Sequence, residues 1–529
     1  MKDVIIIPTY NERENIETLV TEIFQIFPHV YIVVADDSSP DKTGEVVTRL
    51  TSEYPNLSLV SRAEKNGLGR AYLNAFSHVL ADPTVRTVTM MDADLSHQPK
   101  YLPEMFERST EYTVVMGSRY VPGGKTIGWE LWRRVLSFGA NLYCRLVTYI
   151  PIHDCTGGFN IISADLLRKI DFSNMDMSGY AFIMELKYML YLYGGTFCEV
   201  PITFVNRVGG ESKMSGHIIS EGVFAPWKMV NRNYSKKPVP NISCPLCTKT
   251  HIQFYTRKNG YDVYRCRFCK LLFVYPLPPT ITVYNETYFS GATEGFGYVD
   301  YDTDKEPMTK IFEKYLDKLS HVGVTSGKFL DVGAATGFFM SIAKKRGYDV
   351  TGVEISDYAS EKGREKGLQI YTGDLHSVAF QSDMFDVVSL CDVLEHVPSP
   401  TKFLEEVTRI LKPGGYILIN TPNAESIVAK ILRTRWHLIV PPEHLHYFSP
   451  RNLSQYLLKQ SFAIKNVSTI GKRFTLEYIF KTLYKWQSFV IWKWSEKIFS
   501  TYFLRKLYIP LNTHDNFFII AQKSVVQDK

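Results

Sequence analysis

No uninterrupted apolar run in this 529-residue chain approaches the roughly 20 residues of a membrane-spanning helix. An N-terminal signal is missing as well: Val4-Ile5-Ile6-Ile7 is cut short by Pro8, too short for a secretory core. Internal repeats and low-complexity tracts are absent, which excludes repeat arrays. An excess of one charge is lacking too. Sixty Lys and Arg against 54 Asp and Glu leave +6, which allows attraction to phosphates or an anionic membrane surface without demanding nucleic acid. Cysteine is sparse at eight residues. Four of them fall in two Cys-x-x-Cys pairs, whereas Cys144, Cys155, Cys198 and Cys391 are scattered, a usage that fits a reduced compartment. Together these absences place the chain in the cytoplasm, at most peripheral on the membrane face.

The chain is too long for one core, so two or three domains are expected. Residues 2–7 and 30–35 read as short buried strands, and between them Ile16, Leu19, Val20, Ile23 and Phe24 recur at helical spacing. Val85–Met91 is a further strand, followed by Asp92-Ala93-Asp94. Strand–helix alternation with acids at strand carboxyl ends is the doubly wound α/β pattern, whose ligands bind at those ends. It runs to about residue 234. Ser235 to Asn241, with two prolines and two lysines, reads as a linker. A second α/β alternation begins at Lys328, with strands Phe329–Val332, Val350–Glu354, Phe385–Leu390, Tyr416–Asn420 and, last, Asn516–Gln522. The domains expected are therefore 1–235, a linker and small module over 236–280, and 281–529.

Asp92 and Asp94, one residue apart at a strand end, can aim both carboxylates at one diphosphate–metal centre, where Mg²⁺ or Mn²⁺ would also take phosphate and water oxygens. Alone, Asp-x-Asp more often describes a solvated turn. Its company argues otherwise: Pro8-Thr9-Tyr10-Asn11-Glu12, Asp36-Asp37-Ser38-Ser39-Pro40-Asp41, Lys65-Asn66-Gly67-Leu68-Gly69-Arg70, Gly117-Ser118-Arg119-Tyr120, Asp154-Cys155-Thr156-Gly157-Gly158-Phe159, and Asn206-Arg207 with Lys213. In this order the motifs resemble the family 2 glycosyltransferases, specifically the polyprenyl (dolichyl) phosphate mannose synthases, over residues 1–234.

That resemblance implies a GT-A (Rossmann-like) fold and inversion at the sugar's anomeric centre. It implies that Pro8, Tyr10, Glu12 and Asp37 contact the nucleoside. Asp92, Ala93 and Asp94 would hold diphosphate and metal, with Ser96 able to add a ligand. Arg119, Arg207 and Lys213 would neutralise phosphate charge, and Arg133 and Ser137 match the stretch that binds an acceptor phosphate. The implied donor is GDP-mannose and the implied acceptor polyprenyl or dolichyl phosphate at the bilayer surface. UDP-glucose or another nucleotide sugar is the alternative. The catalytic set is then Asp94, Arg119, Arg133, Ser137, Arg207 and Lys213. A phosphate monoester is already anionic near neutral pH, so the cationic side chains serve to bring two anions together.

Cys244-Pro-Leu-Cys247 and Cys266-Arg-Phe-Cys269 have zinc-ribbon spacing, and four thiolates make a closed structural Zn²⁺ site without a catalytic opening. Tyr255–Tyr264 between the pairs reads as a hairpin.

Phe329 to Gly337 is a strand entering a glycine turn before a helix at Phe338–Lys345. Asp331, Gly333, Ala335 and Gly337 form that turn, small enough for close approach of a cofactor. Glu354 ends the next strand, where an acid grips ribose hydroxyls. Asp374 in Gly373-Asp374-Leu375 suits adenine contacts, and Asp392 lies at a strand edge ahead of Glu395-His396. This succession resembles the class I (Rossmann-like) methyltransferases dependent on S-adenosylmethionine (SAM), over residues 281–529, although Ala335 stands where a glycine is common. Zinc ribbons ahead of such domains are similar to a group acting in sugar and polysaccharide pathways. In that company Tyr284–Phe289 and Gly297–Tyr301 look like a cap over the cofactor, and His444 or His446 would be the base for a sugar hydroxyl. An aromatic and basic insertion at about 472–511, richest over 474–507, suits a bilayer interface, a helical cover over the methyltransferase or a dimer partner equally. The expected protein is a bifunctional transferase. A second half that only binds SAM or docks at a membrane is the other reading, and oligomeric state is not legible.

Overall fold

The computed structural model describes residues 1–62, 67–175, 179–205, 216–231, 239–279, 308–469, 472–475, 508–511 and 514–525. The chain divides into two compact units, Met1–Pro238 and Val239–Lys529.

The first unit is built on a seven-stranded sheet. Its order is Leu57–Ser61, Tyr31–Asp36, Lys2–Thr9, Val85–Met90, Asn160–Ser163, Val114–Ser118 and Phe197–Pro201. The first four strands are parallel, and Asn160–Ser163 runs against both of its neighbours. The first strand buries Val4 to Ile7 without alternation, as a strand covered on both faces must. Helix Arg13–Ile26 lays Ile16, Leu19, Val20, Ile23 and Phe24 into that core. After the first strand the chain moves outward to Tyr31–Asp36 and Leu57–Ser61. It then returns to the other side of the first strand at Val85–Met90. This reversal opens a crevice at the carboxyl ends of Lys2–Thr9 and Val85–Met90.

The second unit has its own seven-stranded sheet: Gln369–Thr372, Tyr348–Glu354, Gly327–Val332, Phe385–Cys391, Leu411–Pro422, Asn516–Lys523 and Phe462–Ser468. The first five strands are parallel, and Asn516–Lys523 runs antiparallel to both of its neighbours. Aromatic stacking fills one face, with the Tyr315 and Phe518 rings 4.3 Å apart and Phe312 and Phe339 4.7 Å apart. Helix Phe338–Lys345 forms over the expected residues. The strand expected at Tyr416–Asn420 is longer: pairing of Leu411 with Phe385 draws in Lys412 to Gly415, and the register shifts there.

The cysteine module belongs to this second unit. Ile252–Lys258 and Tyr261–Cys266 make a hairpin whose two-residue turn, Asn259-Gly260, has both φ angles positive, as a right-twisted ribbon favours. Leu272–Val274 adds a third strand, and His446–Tyr447 a fourth through Leu272↔Tyr447 and Phe273↔His446. Val263, Leu272, Val274, Trp436, Ile439 and Tyr447 form a shared apolar cluster beneath. Lys258 Nζ donates to the Trp436 carbonyl at 3.3 Å and Asn259 Nδ2 to that of Pro441 at 2.8 Å.

The expected cap segments, Tyr284–Phe289 and Gly297–Tyr301, lie outside the described residues. So does most of the aromatic and basic insertion; of it, Lys472–Thr475 and Tyr508–Leu511 form a two-stranded antiparallel ladder.

Trp436 is buried at the centre of the ribbon cluster. Trp436→Ala is expected to destabilise this unit by about 3–5 kcal/mol. An unchanged urea midpoint, followed by circular dichroism, would show that the cluster does not hold the ribbon to its neighbour.

Candidate functional site

In the first unit the parallel register sets Thr9 opposite Asp36, so the segments after both strands meet. Thr9 Oγ1 donates to Asp36 at 2.8 Å, and the Ser39 N–H and hydroxyl bond the same carboxylate. Asn11 turns through φ 62° and donates its N–H to Ser39 Oγ at 3.1 Å; Glu12 N–H donates to Thr43 Oγ1 at 3.0 Å. These bonds fix Tyr10 to Glu12 beside Asp37, whose carboxylate pairs with Arg62 at 2.7 Å. Pro8 lies within the strand, opposite Ala35.

Asp92, Ala93 and Asp94 stand at the neighbouring strand end. Ala93 is core, and Asp94 is buried, accepting the Ser96 N–H at 3.2 Å across a turn in which Leu95 has φ 60°. The Ser96 hydroxyl and the Gln98 side-chain oxygen Oε1 are buried without a hydrogen-bond partner. Buried polar atoms are rarely left so, and an oxygen-coordinated divalent cation fits this donor set of two carboxylates and a hydroxyl.

His97 was not singled out from sequence. Asp92 N–H donates to its Nδ1 at 3.0 Å, which leaves the ring proton on Nε2, 3.7 Å from an Asp92 carboxylate oxygen. The ring stacks on Phe159 at 5.0 Å. A Cβ on Gly158 would lie 3.3 Å from His97 and 3.7 Å from both Asp92 oxygens, so the glycine allows the backbone to approach. Burial, then the nearby Asp92 charge, raises the Tyr72 hydroxyl well above its usual value.

Arg119, expected to neutralise phosphate, is bidentate to Asp154, with Nε and Nη2 at 2.8 and 2.7 Å and its backbone N–H at 3.1 Å. Asp154 is fully buried. Burial pushes its carboxyl up, but Arg119 and Lys187 together hold it well below the carboxylate range. Lys187 Nζ donates to the Asp154 carbonyl at 2.8 Å, and Glu199 accepts from Ser118 Oγ and the Asp154 N–H at 2.7 and 3.0 Å. The charge of Arg119 is therefore matched within the protein. Asp154 stands in one of the sequence motifs, but its pairing with Arg119 does not show there, nor do Lys187 and Glu199, because the partners are remote in the chain.

Helix Leu131–Thr148 carries Arg133 and Ser137. The Arg133 guanidinium lies 4.3 Å from the Trp129 ring centroid, and Tyr120 OH donates to Ser137 Oγ at 2.7 Å. This helix buries only Asn141, Cys144, Val147 and Thr148. Trp132 is 58%, Val135 63% and Phe138 56% exposed, and the neighbouring helix Gly216–Asn231 exposes Val223, Phe224 and Trp227. Arg207 and Lys213 lie outside the described residues.

In the second unit Gly333 and Gly337 take φ 72° and 76°, and Ala335 takes φ 48°, costly for a residue with a side chain. Glu354 accepts the Ala335 N–H at 2.8 Å and that of Ser356 at 2.9 Å, so the acid closes against the turn; burial raises its pKa. Asp374 caps the short helix Leu375–Val378 through the Ser377 N–H at 2.7 Å. Asp392 accepts from Asn420 Nδ2 at 2.8 Å. These groups share one sheet edge, a cradle that fits a nucleoside cofactor. Asp331 instead faces the adjacent strand, accepting from the Ser389 hydroxyl, and burial pushes it up to about 7.

The two candidate base histidines part company. His444 is half-buried, its Nδ1 2.9 Å from the Leu438 carbonyl. His446 is buried in the strand paired to the ribbon, and burial pushes it down to about 3. So low a group is unprotonated near neutral pH and holds an accepted proton only weakly. In the ribbon, Cys244 and Cys269 sulfurs lie 3.5 Å apart and those of Cys247 and Cys266 3.6 Å apart, with all four within 4.8 Å of one another. Four thiolates at about 2.3 Å from one ion require close to this spacing, so Zn²⁺ fits.

Asp331 is protonated in the fold at pH values where the unfolded chain has lost that proton. Its stabilising contribution is full below about pH 4 and is lost as pH rises through about 7. Asp331→Asn is therefore expected to gain about 3 kcal/mol in stability relative to the parent as pH rises from 5 to 8. Parallel urea-stability profiles for the two proteins would contradict this.

Residues 4–171 match the family model Glycosyl transferase family 2, and residues 305–466 match a model described as Methyltransferase domain. An undecaprenyl-phosphate mannosyltransferase of Micrococcus luteus is 39% identical over 223 residues, 42% of this chain and 91% of that protein. A polyprenol monophosphomannose synthase of Mycolicibacterium smegmatis is 40% identical over 235 residues, 44% of this chain and 88% of that protein. Among solved structures, a SAM-dependent methyltransferase of Archaeoglobus fulgidus is 21% identical with a TM-score of 0.28, covering 41% of this chain and 94% of its own. The chain thus belongs to glycosyl transferase family 2, with relatives named as polyprenyl-phosphate mannosyltransferases, and joins to that unit a methyltransferase domain.

Proposed function

We propose that the first unit transfers mannose from GDP-mannose to a polyprenyl phosphate with inversion, and that the second methylates a sugar hydroxyl of the same pathway from SAM. One observation carries the first half: a helix that bears Arg133 and Ser137 exposes Trp132, Val135 and Phe138 to solvent. Its neighbour adds Val223, Phe224 and Trp227. An apolar face of this kind, lined with Arg133 and Arg134, suits contact with an anionic bilayer, where a lipid phosphate would be presented. Among the described residues no helix is long and apolar enough to cross a membrane, which agrees with access from the surface.

Within the first site Tyr10, Glu12 and Asp37 would receive the nucleoside. Asp92, Asp94 and Ser96 would hold Mg²⁺ or Mn²⁺, which when bound neutralises the diphosphate leaving group. The acceptor phosphate is already anionic, so the protein orients it rather than deprotonates it. Arg133 and Ser137 would receive it, and Arg207 and Lys213 would add positive charge. Arg119, locked to Asp154, would shape the pocket wall and contribute a partly matched charge. His97 positions the Asp92 carboxylate from behind. In the second unit the Gly333–Gly337 turn, Glu354, Asp374 and Asp392 would cradle SAM, whose sulfonium supplies the methyl group. His444 or His446 would accept the hydroxyl proton, His444 being the less buried of the two. Residues 236–280 would supply the linker and the Zn²⁺ ribbon.

Asp94→Ala is expected to reduce sugar transfer from labelled GDP-mannose to a short polyprenyl phosphate by about 1,000-fold, without changing the far-ultraviolet spectrum. Activity of the parent protein should require added Mg²⁺ or Mn²⁺. Undiminished transfer by the variant, or a preference for UDP-glucose, would overturn the donor-site reading. The labelled lipid then serves as acceptor for methyl-labelled SAM. Failure to bind SAM by calorimetry would make the second half a docking module.

A further inference from the structure

The second unit gathers Glu395, His396 and His444 so that one ligand atom from each lies within 4.8 Å of the others. All three side chains are anchored from behind. His396 Nδ1 is 2.8 Å from the Glu443 carbonyl, and His444 Nδ1 is 2.9 Å from that of Leu438. A carbonyl only accepts, so each neutral ring carries its proton on Nδ1 and its lone pair on Nε2. Glu395 is buried and accepts the Thr421 hydroxyl at 2.9 Å. Its backbone carbonyl accepts the N–H groups of Leu445 and His446 at 2.7 and 3.1 Å, fastening this corner to the segment that carries His444. The two imidazoles meet edge to face, with centroids 4.8 Å apart.

Two imidazoles and a carboxylate, the last buried and the rings partly so, thus bring one ligand atom each into a common space. Imidazoles oriented by Nδ1–H bonds to backbone carbonyls, with a carboxylate held by a hydroxyl, are the outer-shell arrangement of metal sites. Two nitrogens and one oxygen suit Zn²⁺, Fe²⁺ or Mn²⁺.

We propose that Glu395, His396 and His444 bind one divalent transition-metal ion, distinct from the ion of the four-cysteine cluster. The site follows the strand Phe385–Cys391, at the sheet edge that also carries Glu354 and Asp392. Three protein ligands leave positions for an oxygen of a small acceptor, such as a sugar hydroxyl or diol, and with the ion bound its polarisation of that hydroxyl would replace His444 as the means of freeing the proton. The acceptor part rests on the methyl-transfer reading; the ion itself does not.

The test uses the full chain, depleted of metal, reloaded with Zn²⁺ or Co²⁺ without nucleotide sugar, desalted and analysed for metal per chain. The parent should retain a second equivalent beyond that of the ribbon. His396→Asn and His444→Asn, whose amides can keep the bond to the carbonyl, should bind that equivalent at least about 100-fold more weakly. The thiolate-to-cobalt absorption of the ribbon should remain. Glu395→Gln is a third variant that preserves an acceptor for Thr421, should an Asn variant fail to fold. A parent that takes up only the ribbon ion, or folded variants that retain both, overturns the site and leaves a proton shared among the three groups. Zinc bound here by a chain that shows no calorimetric SAM binding keeps the ion and removes only the acceptor reading.

Discussion

Both units depend on one constraint: a parallel sheet covered on both faces leaves polar side chains room only at its strand ends. Val4 to Ile7 in the first unit, and Phe329 and Leu330 in the second, are fully enclosed. Where such a strand stops, backbone amides of the next turn become available and the chain must reverse. Asp36, Asp37, Asp92 and Asp94 occupy those ends in the first unit, and Glu354 and Asp392 in the second. The chemistry is concentrated at two sheet edges because desolvation excludes it elsewhere.

The exceptions are charges that bring their partners with them. Asp154 is buried with Arg119 bidentate on its carboxylate and Lys187 on its carbonyl, while Glu199 closes the backbone around it. Removing one member of such a group leaves the others desolvated and unmatched, at a cost of about 3–5 kcal/mol. The network joins the strand ends Val114–Ser118 and Phe197–Pro201 to the loop before Gly157-Gly158, whose close approach to Asp92 shapes the wall of the site. In the second unit the ribbon has a comparable task. Its edge strand pairs with His446–Tyr447, so the segment bearing His444 is held by the cysteine module on one side and by the Glu395 backbone on the other.

Much of this was legible in local sequence. The paired acids after a buried strand, the glycine turn after Asp331 and the two Cys-x-x-Cys pairs all act through neighbours a few residues away, so spacing alone carries their meaning. His97 was within reach, five residues after Asp92, but no periodicity marks a ring that folds back under its own strand. Lys187 and Glu199 lie 33 and 45 residues from Asp154, and nothing in their own segments announces the pairing. His444 and His446 looked interchangeable in sequence. Strand pairing separates them, since only the latter is drawn into the ribbon sheet.

The sequence by itself determined two α/β units, their polar strand ends and a four-thiolate module, because hydrophobic period, turn chemistry and ligand spacing are short-range properties. Tertiary structure alone decided which charges are matched inside the protein, which of the two histidines is buried in the ribbon sheet, and that the ribbon shares a sheet with the methyltransferase fold. Those outcomes depend on burial and on partners distant in the chain, and desolvation acts on a side chain only once the fold has chosen its neighbours.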